Sequence, residues 1–335
     1  MPDRVLIVDV PWDDLSLERA ELEKVGAELV RASANDPATL AREIVGCSAL
    51  LTDWTPIPAA VLEAGGDRDG PLRLVARMGT GVDHIDLAAA ARLGIPVTRL
   101  PDYCVEEVAD HTLALLLAIR RRVVEDAAAV RRGEWEEVHV GDLRRLRGNV
   151  LGLIGFGRTA AAVRERALPF GFTVLGENRT GDDRGTGCEM VARAELLERS
   201  DVVSLHAPLS AETARMVDAA FLARMKPGAV LLNVARGGLI DADAVLAALE
   251  SGRLAAVGLD VFESEPPGER PEDWHPLVRH PRAIVTPHTA FLSRESLVEI
   301  RARPARQVAD ALAGRRPEHL VDPTVWERRE TTRRS

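Results

Sequence analysis

The stretch Asn149-Val-Leu-Gly-Leu-Ile-Gly-Phe-Gly-Arg-Thr-Ala160 constrains this chain more than any other. Residues 150–154 are a short apolar run of the kind that makes a buried strand, and 160–167 are patterned as a helix. Between them Gly155-x-Gly157-x-x-Ala160 turns the chain. Strand, glycine turn and helix in that order form a dinucleotide fingerprint. Gly155 permits the tight turn, Gly157 lets backbone approach a pyrophosphate, and the small Ala160 lets helix pack on strand. The helix N-terminus adds N–H groups and a partial positive charge. Glycine-rich turns are common, so the motif takes its weight from the strand before it and the helix after it. Gly155, Phe156, Gly157, Arg158 and Thr159 are thus candidate cofactor contacts.

The rest of the chain supplies the sheet that such a motif needs. Before the fingerprint, apolar runs at 5–10, 27–30, 49–51, 72–76 and 95–98 alternate with helical patterns. Asp36-Pro37 reads as a helix cap followed by a first-turn proline, and Gly26, Gly46 and Gly94 stand where helices should stop. A long Ala- and Leu-rich pattern at 105–131 reads as one connecting helix. Six strands are expected from the fingerprint onward, at 150–154, 172–175, 202–205, 230–233, 256–259 and 283–285, followed by a helix at 294–313. With 335 residues there is length for two domains. The expectation is α/β, with two doubly wound parallel sheets.

A net charge of −9 argues against nucleic acid and anionic membranes as main partners. The longest membrane-like run, 113–119, is too short to span and ends in three arginines. The chain runs into its first strand at Val5 without a leader pattern, and the arginine-rich end 327–335 reads as a frayed tail. Cys47, Cys104 and Cys188 are odd in number and far apart, so buried free thiols in a reducing cytoplasm are expected. No metal is implied, because no histidine and acidic residues fall at ligand spacing on one element.

Three segments fall at the C-terminal ends of strands in the second series, where ligands bind in such sheets. They are Asn233-Val-Ala-Arg236-Gly-Gly-Leu-Ile-Asp241, Gly258-Leu-Asp260-Val-Phe-Glu-Ser-Glu265-Pro and Thr286-Pro-His288-Thr-Ala. Reducing a carbonyl with a nicotinamide hydride requires a proton for the developing alkoxide, and a histidine is suited to give it. A carboxylate beside that histidine orients the ring, and an arginine can clamp a substrate carboxylate at two points. Singly, each residue has a bland explanation: Arg236 as a surface ion pair, Glu265 as a loop carboxylate, His288 as a structural hydrogen bond. Together at three strand ends they suit reduction of a 2-keto acid.

In combination these motifs resemble the D-isomer-specific 2-hydroxyacid dehydrogenases, with most similarity to the bacterial C-terminal-binding-protein-like branch. The resemblance also rests on Arg77-Met-Gly-Thr-Gly-Val-Asp-His-Ile-Asp86, Pro101-Asp-Tyr-Cys-Val-Glu-Glu-Val-Ala-Asp-His-Thr112 and Ser204-Leu-His-Ala-Pro208. It implies that Arg236 binds the substrate and that Glu265 pairs with the catalytic His288. It implies substrate contacts from Arg77, Thr80 and Gly81, with Phe291 lining the pocket. It adds Thr112, His206, Ala207, Pro208, Ala235 and Asp260 to the cofactor contacts, Asp260 at the nicotinamide carboxamide. The family fold implies a flavodoxin-like substrate domain, 1–101 plus 291–335, and a Rossmann cofactor domain, 102–290, with a cleft between them. It further implies NAD(P), a small 2-keto or 2-hydroxy acid substrate, and a homodimer that uses the helix at 105–131.

Three positions depart from the family pattern. Asn178 stands where NAD-using relatives carry an aspartate on the ribose, and Arg179 beside it suits a 2′-phosphate. Glu177 opposes that reading, which leaves a slight lean toward NADP. Phe291 replaces the branch's tryptophan, and Arg99 replaces an expected asparagine near the Pro101-Asp102 turn. The rival from another class is a nucleotide-sensing scaffold like the animal corepressors. The retained Arg236, Glu265 and His288, and the expectation of no extended recruiting tail, favour an enzyme. A formate- or phosphite-type dehydrogenase is the third reading. Phosphite oxidisers carry a lysine where this chain has Thr80.

Overall fold

The structure, a computed structural model, describes residues 2–67, 70–135 and 143–334. The chain divides into two units, Met1–Tyr103 with Ser293–Ser335, and Cys104–Leu292.

The first unit opens with β1 (Arg4–Val8), α1 (Ser16–Leu22), β2 (Glu28–Arg31), α2 (Pro37–Glu43), β3 (Ala49–Thr52), α3 (Ala59–Ala64), β4 (Leu74–Arg77), α4 (Leu87–Leu93) and β5 (Val97–Thr98). Its strands are parallel in the order β2-β1-β3-β4-β5, the flavodoxin-like arrangement. Helices cover both faces, so β3 and β4 are buried at every position and read as unbroken apolar runs apart from their last residues. The local signals act as expected. The Asp36 carboxylate accepts from the Thr39 N–H with Pro37 following, and Gly26 and Gly94 close their helices at a φ of 69°.

The second unit contains α5 (Val105–Arg121), α6 (Val123–Arg131), β6 (Val150–Ile154), α7 (Arg158–Ala167), β7 (Thr173–Glu177), β8 (Glu189–Met190), α8 (Arg193–Arg199), β9 (Val202–Leu205), α9 (Ala219–Arg224), β10 (Ala229–Asn233), α10 (Ala242–Glu250), β11 (Leu254–Leu259) and β12 (Ala283–Val285). These seven strands are parallel, in the order β12-β11-β10-β9-β6-β7-β8. The fingerprint strand β6 stands where the order reverses, with β7 and β8 on one side and β9 on the other. Leu231, Leu205 and Val257 belong to the core on one face, and Leu151, Leu153 and Leu232 to the core on the other. The seventh strand, β8, is only two residues long, too short for a periodic signal.

The single helix expected over 105–131 is two helices, because Arg122 adopts a left-handed φ of 54° between α5 and α6. Burial changes at the same point. Ala109, Leu113, Leu115, Leu116 and Ile119 of α5 are buried, whereas α6 buries nothing. Cys104 is half-buried, while Cys47 and Cys188 are buried, and all three are free thiols. Burial pushes the Cys47 and Cys188 thiols above their usual range.

The chain returns to the first unit through α11 (Arg294–Leu312), started by a capping box between Ser293 and Ser296. Arg301 on α11 donates Nε at 2.9 Å to the fully buried Glu18 of α1. The end read as a frayed tail is instead helix α12 (Pro323–Arg334), with Ser335 outside the described residues. Its anchors are Val325, Trp326 and Arg329, the last 1% exposed and donating to the carbonyls of Gly94 and Gly70 at 3.1 and 3.2 Å. An arginine bonded to two carbonyls leaves no apolar stripe in the sequence, which is why composition alone mistakes this segment for a tail. Among the described residues no helix is long and apolar enough to cross a membrane.

Candidate active site

The fingerprint turn is built by backbone proximity. Gly155 has a φ of 88°, and a Cβ on it would lie 2.4 Å from the Ala207 nitrogen. The Ser204–Pro208 segment therefore passes directly over the turn. A Cβ on Gly157 would meet nothing within 4 Å. Gly157 is also the N-cap of α7, and no side chain caps it. Open space in front of an uncapped helix N-terminus fits the pyrophosphate of a dinucleotide. Arg158 is exposed at that helix start and Thr159 half-buried. Phe156, 3% exposed, belongs to the core beneath, and its N–H donates to the Glu177 carbonyl.

His206 lies beside the turn, with Nε2 2.9 Å from the Ser204 hydroxyl. Burial pushes its pKa down to about 4 from the ordinary 6.5. Above about pH 6.5 the ring is neutral both folded and unfolded. As pH falls toward 4 the unfolded chain takes a proton that the folded chain refuses, and stability drops. The difference between 6.5 and about 4 corresponds to about 3 kcal/mol at most. Urea midpoints measured from pH 7 to pH 4 should show this loss, and the His206→Gln variant should show a flatter profile.

At the end of β7 the Asn178 side chain shapes its own loop. Its amide donates to the carbonyls of Phe156 and Asp182 at 3.2 and 2.8 Å, and its Oδ1 accepts from the Thr180 N–H at 3.1 Å. Glu177 is ion-paired with Arg193 at 3.1 Å, and Arg179 is exposed.

The chemistry-bearing segments follow β10, β11 and β12, which are neighbours in the sheet. His288 Nδ1 lies 2.6 Å from Glu265 Oε2, and Glu265 Oε1 accepts from the Phe262 N–H at 2.9 Å. The ring edge of Phe291 meets His288 with centroids 6.3 Å apart. Arg236 is steered by its own segment. Its Nη1 donates to the Ala235 carbonyl at 2.8 Å, and the fully buried Asn233 takes the Ala235 N–H and donates to the Arg236 carbonyl. Gly237 locks this segment to the Glu265 loop, because a Cβ there would fall 1.9 Å from the Phe262 carbonyl carbon. Gly237→Ala should therefore part the two loops and cost about 3 kcal/mol or more, seen as a fall in melting temperature together with lost turnover.

Asp260 is fully buried, and its carboxylate accepts from Thr286 Oγ1, the Thr289 N–H and the Ala290 N–H at 2.5, 3.0 and 2.9 Å. Thr112 is also fully buried, and its hydroxyl donates to the Val108 carbonyl one helical turn back. Its neighbour His111, absent from the sequence-based set, instead reaches Thr286 Oγ1 at 3.0 Å. The signal was present in the Asp110-His111-Thr112 run, but only the fold shows which of its side chains meets the strand ends.

In the first unit, Arg77 is 3% exposed and forms a 2.7 Å ion pair with Asp53. Its Nε donates to the Gly81 carbonyl at 2.9 Å, and it lies beneath the Trp54 ring at 5.1 Å. Gly79, at a φ of 150°, packs so closely that a Cβ would overlap the guanidinium. Thr80 is exposed, with its hydroxyl on the Leu100 carbonyl. Arg77 thus forms the floor of the loop that holds Thr80 and Gly81.

A sequence profile of the NAD binding domain of D-isomer specific 2-hydroxyacid dehydrogenases matches residues 113–290. A glyoxylate reductase of Korarchaeum cryptofilum is 40% identical over 286 residues, 82% of each chain. Among solved structures, a Thermus thermophilus protein is 37% identical with a TM-score of 0.84, covering 95% of this chain and 100% of its own. A D-lactate dehydrogenase of Aquifex aeolicus, complexed with NAD and lactic acid, is 28% identical with a TM-score of 0.83, covering 92% and 96%. With the profile spanning more than half of the chain and these relatives spanning most of it, this chain belongs to the D-isomer-specific 2-hydroxyacid dehydrogenase family.

Proposed function

We propose that this nicotinamide-dependent enzyme reduces a short 2-keto acid to its D-2-hydroxy acid, reversibly, with Arg236 on the substrate and His288 as the acid. The carrying observation is the 2.6 Å Glu265–His288 pair, at the same C-terminal end of the sheet as Arg236. When bound, the reduced cofactor supplies the hydride. The chain's own residues do the rest. Gly157 and the N-terminus of α7 receive the pyrophosphate. Arg236 binds the substrate carboxylate and polarises the carbonyl. With Nδ1 held by Glu265, His288 gives its Nε2 proton to the alkoxide oxygen, and Glu265 offsets the ring's charge while that proton is present. In oxidation the same nitrogen takes the hydroxyl proton back. Similarity to a glyoxylate reductase supports a short side chain on the substrate.

For the cofactor we favour NADP. Arg179 is exposed at the end of β7, and Arg193 offsets the Glu177 charge that would oppose a 2′-phosphate. Cys104–Leu292 is assigned to the cofactor and the other unit to the substrate, with the parts of Arg77, Thr80 and Gly81 resting on the resemblance. A homodimer is proposed through α6, whose Val123, Val124 and Val130 are each at least 50% exposed. Free thiols suit a reducing cytoplasm.

The test is a panel of 2-keto acids, from glyoxylate and pyruvate to branched, aromatic and dianionic acids, each with NADPH and NADH. Short acids with NADPH should turn over fastest. Absence of turnover with every acid, while cofactor still quenches tryptophan fluorescence, would sink the activity. Equal affinity for the two cofactors would sink the NADP assignment.

A further inference from the structure

We propose that His111 and Thr286 are positioning residues for the reduction, holding Asp260 and through it the loop that carries His288. The inference rests on the reading of His288 as the acid.

Donor direction decides how this group works. Thr286 Oγ1 lies 2.5 Å from Asp260 Oδ1, a carboxylate oxygen that can only accept, so the single hydroxyl proton is spent there. His111 Nε2, 3.0 Å from the same hydroxyl oxygen and 3.4 Å from Asp260 Oδ1, must then be the donor. The chain of donation runs from His111 Nε2–H to Thr286 and from Thr286 to Asp260, which fixes the His111 tautomer.

Asp260 in turn brackets His288. Its carbonyl accepts the His288 N–H at 2.8 Å, while its carboxylate accepts the N–H groups of Thr289 and Ala290. His288 needs such a frame. Its φ of 53° lies in the left-handed region, which is strained for a non-glycine residue and persists only when neighbours enforce it. Asp260 and Glu265, which hold the loop, both lie on the chain that follows β11. His111 ties the loop to α5, a helix packed in the core of the unit.

The helix reaches the group because β11 has a glycine at the right place. A Cβ on Gly258, two residues before Asp260, would lie 3.1 Å from Ile119 Cδ1 and 3.3 Å from Leu115 Cβ. The absence of that carbon lets α5 press onto the strand and brings His111 within hydrogen-bond reach of the loop. Neither His111 nor Thr286 is asked to touch the reacting atoms. Their effect comes through the placement of the His288 ring, where an error of about 1 Å can cost on the order of 10²-fold.

The experiment compares His111→Leu, His111→Gln and Thr286→Val with His288→Ala. His111→Leu and Thr286→Val should lower kcat by roughly ten- to a hundredfold, with KM and cofactor affinity unchanged. His111→Gln, whose amide still donates, should recover most of the loss. In cofactor-free protein, nitrogen-15 spectra of the imidazoles should show His111 protonated at Nε2. Wild-type kcat in both His111→Leu and Thr286→Val, beside an inactive His288→Ala, overturns this inference alone, as does a His111 protonated only at Nδ1. Wild-type turnover in His288→Ala removes the acid itself, and the positioning role with it.

Discussion

Replacing His288 with alanine is expected to lower turnover by roughly 10²–10⁴-fold, the usual loss when a general acid is removed. Cofactor should still bind, because the fingerprint turn is built from Gly155, Gly157 and the Ser204–Pro208 segment. Stopped-flow traces would separate the two steps, with binding seen as fluorescence quenching and chemistry as loss of reduced cofactor. Glu265→Gln is the companion variant. Gln keeps the size of the side chain but replaces the carboxylate 2.6 Å from Nδ1, so the ring loses its charged partner and its orientation. A loss of roughly 10–10²-fold is expected, smaller than that of the histidine itself. If Glu265→Gln proved as inactive as His288→Ala while still folded, the carboxylate would have to act on the substrate directly.

Arg236→Lys is expected to lower kcat/KM by roughly 10²–10³-fold although the charge is kept, about 3–4 kcal/mol of lost transition-state binding. Lysine offers a point charge, whereas a guanidinium presents a planar fork that matches a carboxylate and still reaches the carbonyl. The local structure holds the guanidinium in place. Asn233 clamps the Ala235–Arg236 segment from the end of β10, and Arg236 Nη1 is braced on the Ala235 carbonyl. Partial rescue of the Arg236→Ala variant by added guanidinium would support the assignment. Unchanged kcat/KM in Arg236→Lys would reduce this residue to a charge in the right neighbourhood.

Much of the fold is legible in the residues because it depends on interactions close in sequence. The alternation of apolar runs with helical patterns, the Asp36 cap, the glycine stops and the strand–turn–helix around Gly155 are local, and they appear in the structure where they were expected. So does the Glu265–His288 pair, although twenty-three residues separate its members, because both follow adjacent parallel strands. Once the order of strands is known, their ends are neighbours.

What sequence alone could not reach depends on contacts between distant segments. The left-handed Arg122, the two-residue β8 and the helix α12 carry no periodic signal. Arg329 looks like a solvated charge until the carbonyls of Gly70 and Gly94 are found beside it. Arg77 is one letter of a loop motif until burial shows its guanidinium on Asp53 under a glycine loop. His111 and Thr112 are adjacent letters, but helix geometry turns one hydroxyl back to Val108 and sends one imidazole to Thr286. By itself, then, the sequence determined the two doubly wound sheets and set Arg236, Glu265 and His288 at neighbouring strand ends as the candidates for substrate binding and proton transfer. The tertiary structure decided which polar side chains support them, because hydrogen-bond partners are set by distances of a few ångströms between segments that the chain's order leaves far apart.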